Sequence, residues 1–162
     1  MDTSQTLALV QQLADVLMAR GWRMATAESC TGGLIAAACT ELADSSAWFD
    51  RGFVTYSNEA KTDLLGVDAA LIAAHGAVSE PVARAMAEGA LSRAGVEVAV
   101  AVTGIAGPSG GSADKPVGTV WLAWAQHNGP TRAEVHRFDG DRSQVRALTC
   151  LVALNGLLAL SG

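Results

Sequence analysis

The stretch Val96-Glu97-Val98-Ala99-Val100-Ala101-Val102-Thr103-Gly104 decides the fold. Between Glu97 and Thr103 it holds only Val and Ala, without the polar alternation of a strand that faces water on one side. Such a run reads as a strand covered on both faces, and strands of that kind lie inside sheets flanked by helices. Upstream, SEPVARAMAEGALSRAG (residues 79–95) reads as a helix with Ser79 as N-cap, Pro81 in its first turn and Gly95 as its stop. Downstream, a glycine-rich loop (residues 104–118) leads into TVWLAWAQ (residues 119–126). The dipeptide Asn128-Gly129 then turns that strand back into TRAEVHRF (residues 131–138) as an antiparallel hairpin.

The remaining segments extend the pattern. An N-terminal helix has Leu7, Val10, Ala14 and Leu17 on one face, with Thr3 as its N-cap and Gly21 at its end. Residues 22–27 read as a strand, and ESCTGG (residues 28–33) turns from it into a helix over residues 34–42. A second strand over residues 51–57 leads into a helical turn ending at Gly66, then a short helix over residues 68–75 closed by Gly76. GDRSQVRALTCLVALNGLLAL (residues 140–160) forms a last helix with Asp141 near its start. After the first helix the order is β-α-β-α-α-β-β-β-α. It predicts an α/β chain: a single three-layer α/β/α domain over residues 1–162, with a mixed, mostly parallel sheet of about five strands. Ligand sites in such folds gather where loops leave the carboxyl ends of parallel strands. ESCTGG, YSNEAK (residues 56–61) and TGIAGPSGG (residues 103–111) take those places.

Composition narrows the function classes. Of 162 residues, 50% are hydrophobic and 17% charged, so a sizeable core is available. A net charge of -5, with no basic run, argues against a nucleic-acid binder. The cysteines Cys30, Cys39 and Cys150 cannot all pair within one chain, and no basic n-region precedes an apolar block. Both observations predict a cytoplasmic protein. The most apolar run, residues 150–160, is too short to span a bilayer, so no membrane partner is expected. Ala-rich helices are compatible with a homo-oligomer.

Ser29, Cys30, Thr31, Gly32 and Gly33 lie at a strand-to-helix turn, where free backbone amides can stabilise an oxyanion or hold a phosphate. A serine there is far more often a cap than a nucleophile, and the segment alone supports both readings. His75, His127 and His136 are poorly placed as its base, and no His/Cys/Asp/Glu spacing offers a metal site. Lys61 is the alternative base, with Tyr56 near it as a hydrogen-bond partner or proton relay. Its ordinary reading, favoured on the residues alone, is an exposed lysine paired with Glu59 or Asp63. Thr103, Gly104, Ile105, Ala106 and Gly107 begin a loop able to wrap a ligand with its amides, or simply a surface loop. Arg142 and Arg146, one turn apart, could grip an anion or pair with Asp139 or Asp141. Cys30 competes with Ser29 for the role of nucleophile.

Five stretches change these weights: TAESCTGGLIA, SSAWFDRGFVTYSNEAKTDLLGV, HGAVSEPVARAMAEGAL, VTGIAGPSGGSADKPVGTVW and FDGDRSQVR. Together and in this order they resemble the CinA C-terminal family, also called the PncC or nicotinamide-nucleotide amidase family. The resemblance covers about residues 25–146. It implies deamidation of nicotinamide mononucleotide to nicotinate mononucleotide and ammonia, a small-molecule substrate and no cofactor. It also implies a serine–lysine pair at Ser29 and Lys61 assisted by Tyr56, with the Thr103–Pro108 loop in the pocket. Longer members of the family carry a further N-terminal domain, which this chain is expected to lack. The competing expectations are a nucleotide-holding regulatory module and an interaction module tied to competence or DNA damage; the acidic charge gives the latter little support as a DNA binder.

Overall fold

The computed structural model describes residues 3–162 and contains one five-stranded sheet with helices on both faces. The helices are α1 (Thr3–Arg20), α2 (Leu34–Thr40), α3 (Asn58–Leu65), α4 (Ala69–His75), α5 (Glu80–Ala94) and α6 (Arg142–Ser161). The strands are β1 (Met24–Glu28), β2 (Phe49–Val54), β3 (Val98–Gly104), β4 (Thr119–Gln126) and β5 (Arg132–Arg137), in the spatial order β2-β1-β3-β4-β5. β1 pairs in parallel with β2 and β3, while β4 is antiparallel to both β3 and β5. Four strands therefore point one way and β4 alone runs against them, as a mixed sheet requires.

The alternation hidden in the apolar strand is one of size. Val98, Val100 and Val102 of β3 join Val120, Leu122 and Trp124 of β4 in a core shared with α1, α2 and α6. Ala99, Ala101, Ala123 and Ala125 instead meet α5, which presents Ala83, Ala87 and Ala90. Small residues on both sides let α5 lie close to the sheet. α6 is long and apolar enough to cross a bilayer by length and composition. Here its Val145, Cys150, Ala153, Leu154 and Leu157 are buried in the core, the ordinary place of a central helix.

Two glycines set the helix distances. A Cβ on Gly156 of α6 would collide with the indole of Trp124, which is fully buried and donates its Nε1–H to the Ala153 carbonyl at 3.0 Å. Gly156→Ala should therefore destabilise the fold by about 3 kcal/mol, the upper range for overpacking, and lower Tm by about 6–12 °C. Thermal unfolding followed by circular dichroism would read this; an unchanged Tm would mean the seam is looser than described. On the other face, a Cβ on Gly89 of α5 would strike the Leu65 carbonyl oxygen, so the end of α3 rests directly on α5.

Several local expectations shift. Leu7 is 39% exposed, and the buried face of α1 runs through Thr6, Leu9, Val10, Leu13, Ala14 and Leu17. Thr3 lies within the helix rather than ahead of it. β1 starts two residues later than expected, because the Trp22 amide still closes the end of α1 on the Leu17 carbonyl at 2.9 Å. Ser79 stands at the N-cap of α5, yet its hydroxyl donates back to the Gly76 carbonyl at 2.8 Å instead of accepting from the helix. The capping box at the start of α6 is complete: Asp141 accepts from the Gln144 amide, and Gln144 accepts from the Asp141 amide.

β2 ends at Val54, three residues short of the expected strand. The Thr55 amide still reaches the Glu28 carbonyl at 2.8 Å, but from there the chain bends away to begin α3. β1 lies between β2 and β3, so the chain leaves it toward one neighbour and returns to the other. Loops at the carboxyl end of such a strand diverge and leave a crevice. Glu28 lies opposite both Val54 and Val102 in the register, which brings Ser29, Thr55 and Thr103 to that crevice together.

Candidate active site

Ser29 follows the last residue of β1, its amide held by the Val102 carbonyl at 3.1 Å and its side chain largely covered. The turn after it is tight: Gly32 donates to the Ser29 carbonyl at 3.0 Å, and Gly32 and Gly33 take φ values of 59° and 110°. These are left-handed conformations that side-chain-bearing residues adopt at a cost, which accounts for the paired glycines. Glu28 is fully buried beneath the turn. Its carboxylate accepts from Thr31 Oγ1 at 2.6 Å and from the amides of Ile35 and Ala36 at 2.9 and 3.0 Å. The start of α2 is thus already occupied by an anion. No oxygen accepts from the amides of Cys30 and Thr31 among the described residues, so donors lie in the turn itself rather than at the helix end.

Lys61 completes the arrangement. Ser57 caps α3 by accepting from the Ala60 amide at 3.0 Å, and Lys61 follows within the first turn. Its side chain points inward and is 1% exposed, so the surface lysine expected from the residues alone gives way to a buried one. The Lys61 Nζ lies 3.1 Å from Ser29 Oγ. Its other neighbours are the carbonyls of Thr55, Tyr56 and Ser57, at 3.0, 3.5 and 3.4 Å. Burial lowers its pKa from 10.5, with Cys30 and Glu59 acting in the opposite sense. A neutral amine in this place donates two N–H groups to carbonyls and has a lone pair left to accept the serine proton.

The pair opens into a cleft of about 200 Å³, lined also by Cys30, Tyr56, Asn58, Thr103, Gly104, Ala106 and Arg142. A larger hollow of about 370 Å³ lies between α3 and α4 around Glu59, Asp63 and Ile72, and neither Ser29 nor Lys61 lines it. Tyr56 is an exposed rim residue whose hydroxyl accepts from Arg142 Nη2 at 3.1 Å; its carbonyl, not its ring, faces Lys61. Arg142 also donates from Nη1 to the Gly107 carbonyl at 2.8 Å, tying the glycine-rich loop to α6. Thr103 is buried and donates its hydroxyl to the Ala77 carbonyl at 2.9 Å, holding the opposite wall. Gly104 allows β4 to approach closely, since a Cβ there would meet Val120 Cγ2 at 2.7 Å.

The other residues singled out in the sequence stand behind this surface. Ile105 pairs with the start of β4, its amide on the Thr119 carbonyl at 2.9 Å, and Gly107 contributes its carbonyl to Arg142. Thr31, Gly32 and Gly33 form the turn without lining the cleft. Arg146 is directed at the turn's carbonyls, with Nε on Cys30 O and Nη2 on Thr31 O, both at 3.1 Å. Cys30 touches the cleft, but burial raises its thiol to about 11, which keeps it protonated and weakly nucleophilic near neutral pH. His75 offers its carbonyl to Lys115 Nζ at 2.9 Å, and His136 meets Glu134; no histidine lines the cleft. No group of three metal-ligating side chains comes together among the described residues. Glu28 and Asn58 were missed by sequence reasoning. A carboxylate ending a buried strand just before a Thr-Gly-Gly turn was the signal available for Glu28.

The chain as a whole is similar to known proteins. The family model for the CinA C-terminal domain matches residues 6–161. A protein named nicotinamide-nucleotide amidohydrolase PncC from Enterobacter agglomerans is 54% identical over 147 residues, covering 91% of this chain and 90% of its own. The protein of the same name from Escherichia coli (strain K12) is 52% identical over 157 residues, 97% of this chain and 95% of its own. The crystal structure of the competence/damage-inducible protein CihA from Agrobacterium tumefaciens matches with a TM-score of 0.94 and 49% identity. It covers 97% of this chain and 96% of that one.

Proposed function

Since the chain belongs to the CinA C-terminal domain family, we propose that it acts, as one domain, to hydrolyse the carboxamide of nicotinamide mononucleotide to nicotinate mononucleotide and ammonia. The observation that carries this reading is the buried Lys61 amine 3.1 Å from the Ser29 hydroxyl. A module that merely held a nucleotide would have no use for a desolvated base against a hydroxyl.

Neutral Lys61 takes the Ser29 proton as Oγ attacks the carboxamide carbon. The carbonyl π electrons move to oxygen, and the Cys30 amide at the cleft, backed by the Thr31 amide behind it, meets that charge. The resulting ammonium of Lys61 protonates the amide nitrogen, the C–N bond breaks and ammonia leaves. A water molecule, deprotonated by Lys61, then attacks the ester and releases the nicotinate carboxylate, and Ser29 regains its proton. A cleft of about 200 Å³ is small for a whole nucleotide, so the ring enters and the ribose phosphate follows the rim toward Arg142. Phosphate competes there for the guanidinium and frees the Tyr56 hydroxyl to assist by hydrogen-bonding the departing nitrogen, while Lys61 supplies the proton. Three free, buried cysteines fit a protein working in the reducing cytoplasm.

The decisive experiment is ammonia release by purified protein from a panel of nicotinamide mononucleotide, nicotinamide riboside and nicotinamide. Stoichiometric release from the mononucleotide is expected; release from none of the three overturns the reading. Arg142→Ala should lower kcat/KM for the mononucleotide by about 10–100-fold, the worth of one charge-assisted contact. It should leave the value for the riboside, which lacks phosphate, within about threefold. Equal losses on both substrates would remove Arg142 from the phosphate.

A further inference from the structure

Arg142 and Arg146 stand one turn apart on α6, yet their guanidinium groups keep different company. Arg142 reaches the rim of the cleft. Arg146 turns to the backbone of the nucleophile turn and donates to two successive carbonyls, those of Cys30 and Thr31, each at 3.1 Å. The guanidinium also lies beside Gly32, where a Cβ would be in ordinary contact with Nη2 at 3.6 Å. Glu28 holds the same turn through the Thr31 hydroxyl, so a buried anion and a cation both clamp it.

A carbonyl oxygen and the following N–H belong to one conjugated plane. A cation on the Cys30 oxygen fixes the orientation of the Thr31 N–H and, by drawing electron density from nitrogen, strengthens it as a donor. That N–H has no acceptor among the described residues.

We propose that Arg146 is a positioning residue for the reaction, fixing and polarising the peptide groups of the Ser29 turn that meet the negative charge on the attacked carboxamide oxygen. The inference rests on the hydrolytic reading of the site. It leaves the substrate phosphate to Arg142 and gives Arg146 no contact with substrate.

Two readouts on Arg146→Met and Arg146→Lys test it. In ammonia release from nicotinamide mononucleotide, Arg146→Met should lose about 100-fold in kcat, the scale of a disabled oxyanion donor, with KM within about threefold. Its pH midpoint should match wild type, since Lys61 is untouched. Arg146→Lys keeps the charge but loses the planar fork that meets two carbonyls at once, so it should fall between, and added guanidinium ion should restore about fivefold or more to the Met variant.

The second readout needs no turnover. 3-Pyridylboronic acid binds an activated serine by forming an Oγ–boron bond while the serine proton passes to Lys61, giving a tetrahedral boronate anion. Arg146→Met should bind it about 100-fold more weakly than wild type.

A raised KM with unchanged kcat would overturn the inference and put Arg146 on the phosphate. Equal boronate affinity in wild type and Arg146→Met would overturn it as well. Boronate binding that depends on Arg146, in a wild-type protein releasing no ammonia, would keep the inference and remove the amidase reading. Wild-type protein that does neither would sink both. If Arg146→Met shows no cooperative thermal transition, Arg146→Lys carries the same comparisons.

Discussion

Ser29→Ala is expected to lower ammonia release by at least about 10⁴-fold, the usual scale for deleting a nucleophile whose base is then left without a task. The substitution removes one hydroxyl from a turn whose other ties are to backbone and to Glu28. Tm should therefore stay within about 2 °C of wild type. Binding of nicotinamide mononucleotide, read by calorimetry, should persist, since no phosphate or ring contact is lost. Cys30→Ala supplies the contrast. Its thiol is held protonated by burial, so that variant should keep wild-type kcat within about threefold. The reverse outcome, with Ser29→Ala active and Cys30→Ala inert, would transfer the nucleophile to sulfur.

The second large effect belongs to Lys61, the proposed base. Lys61→Arg places a cation that stays protonated at any working pH beside Ser29, so at least about 10³-fold of kcat should disappear. In wild type the amine's pKa lies below 10.5. The rate should therefore climb as pH rises through that lowered value and level off above it. A kcat profile taken in small steps from pH 6 to 10 reads this directly. A flat profile together with an active Lys61→Arg would remove Lys61 from proton transfer. The same shift weighs on folding with a definite sign. The unfolded chain binds the proton more readily than the folded one, so the associated stability is present above pH 10.5 and lost as pH falls through the lowered pKa. Lys61→Met should flatten that part of the dependence of stability on pH.

What could be read from residues alone follows from how local each cause is. The Asn128-Gly129 hairpin, the start of α6 at Asp141 and the nearly all-apolar β3 are written in neighbouring positions, and they stand where expected. The approach of Ser29 to Lys61 is different. It depends on the parallel pairing of β1 with β2, which brings the ends of two strands side by side across 32 residues of chain. Here the family resemblance pointed to the pair, while the residues alone favoured an exposed lysine. Arg146 shows the limit more sharply. Its spacing from Arg142 makes the two look equivalent, but only the packing of α6 against the turn separates a guanidinium on carbonyls from one at the rim. Leu7 fits an amphipathic face by period, yet α1 is rotated so that Thr6 takes the buried place. A helix wheel defines a stripe; the neighbours decide where its edges fall.

The seam between Gly89 and Leu65 reaches further than its own packing. The helix that carries Lys61 ends on it, so the depth to which the amine reaches is set by a methyl group missing from another helix. A bulkier residue at that seam would act as a shim, tilting the amine off its hydroxyl without replacing any residue that lines the cleft. In the proposed reaction, proton transfer depends on a joint that lies outside the cleft, and inactive variants should turn up along the α3–α5 seam as well as around the mouth of the crevice.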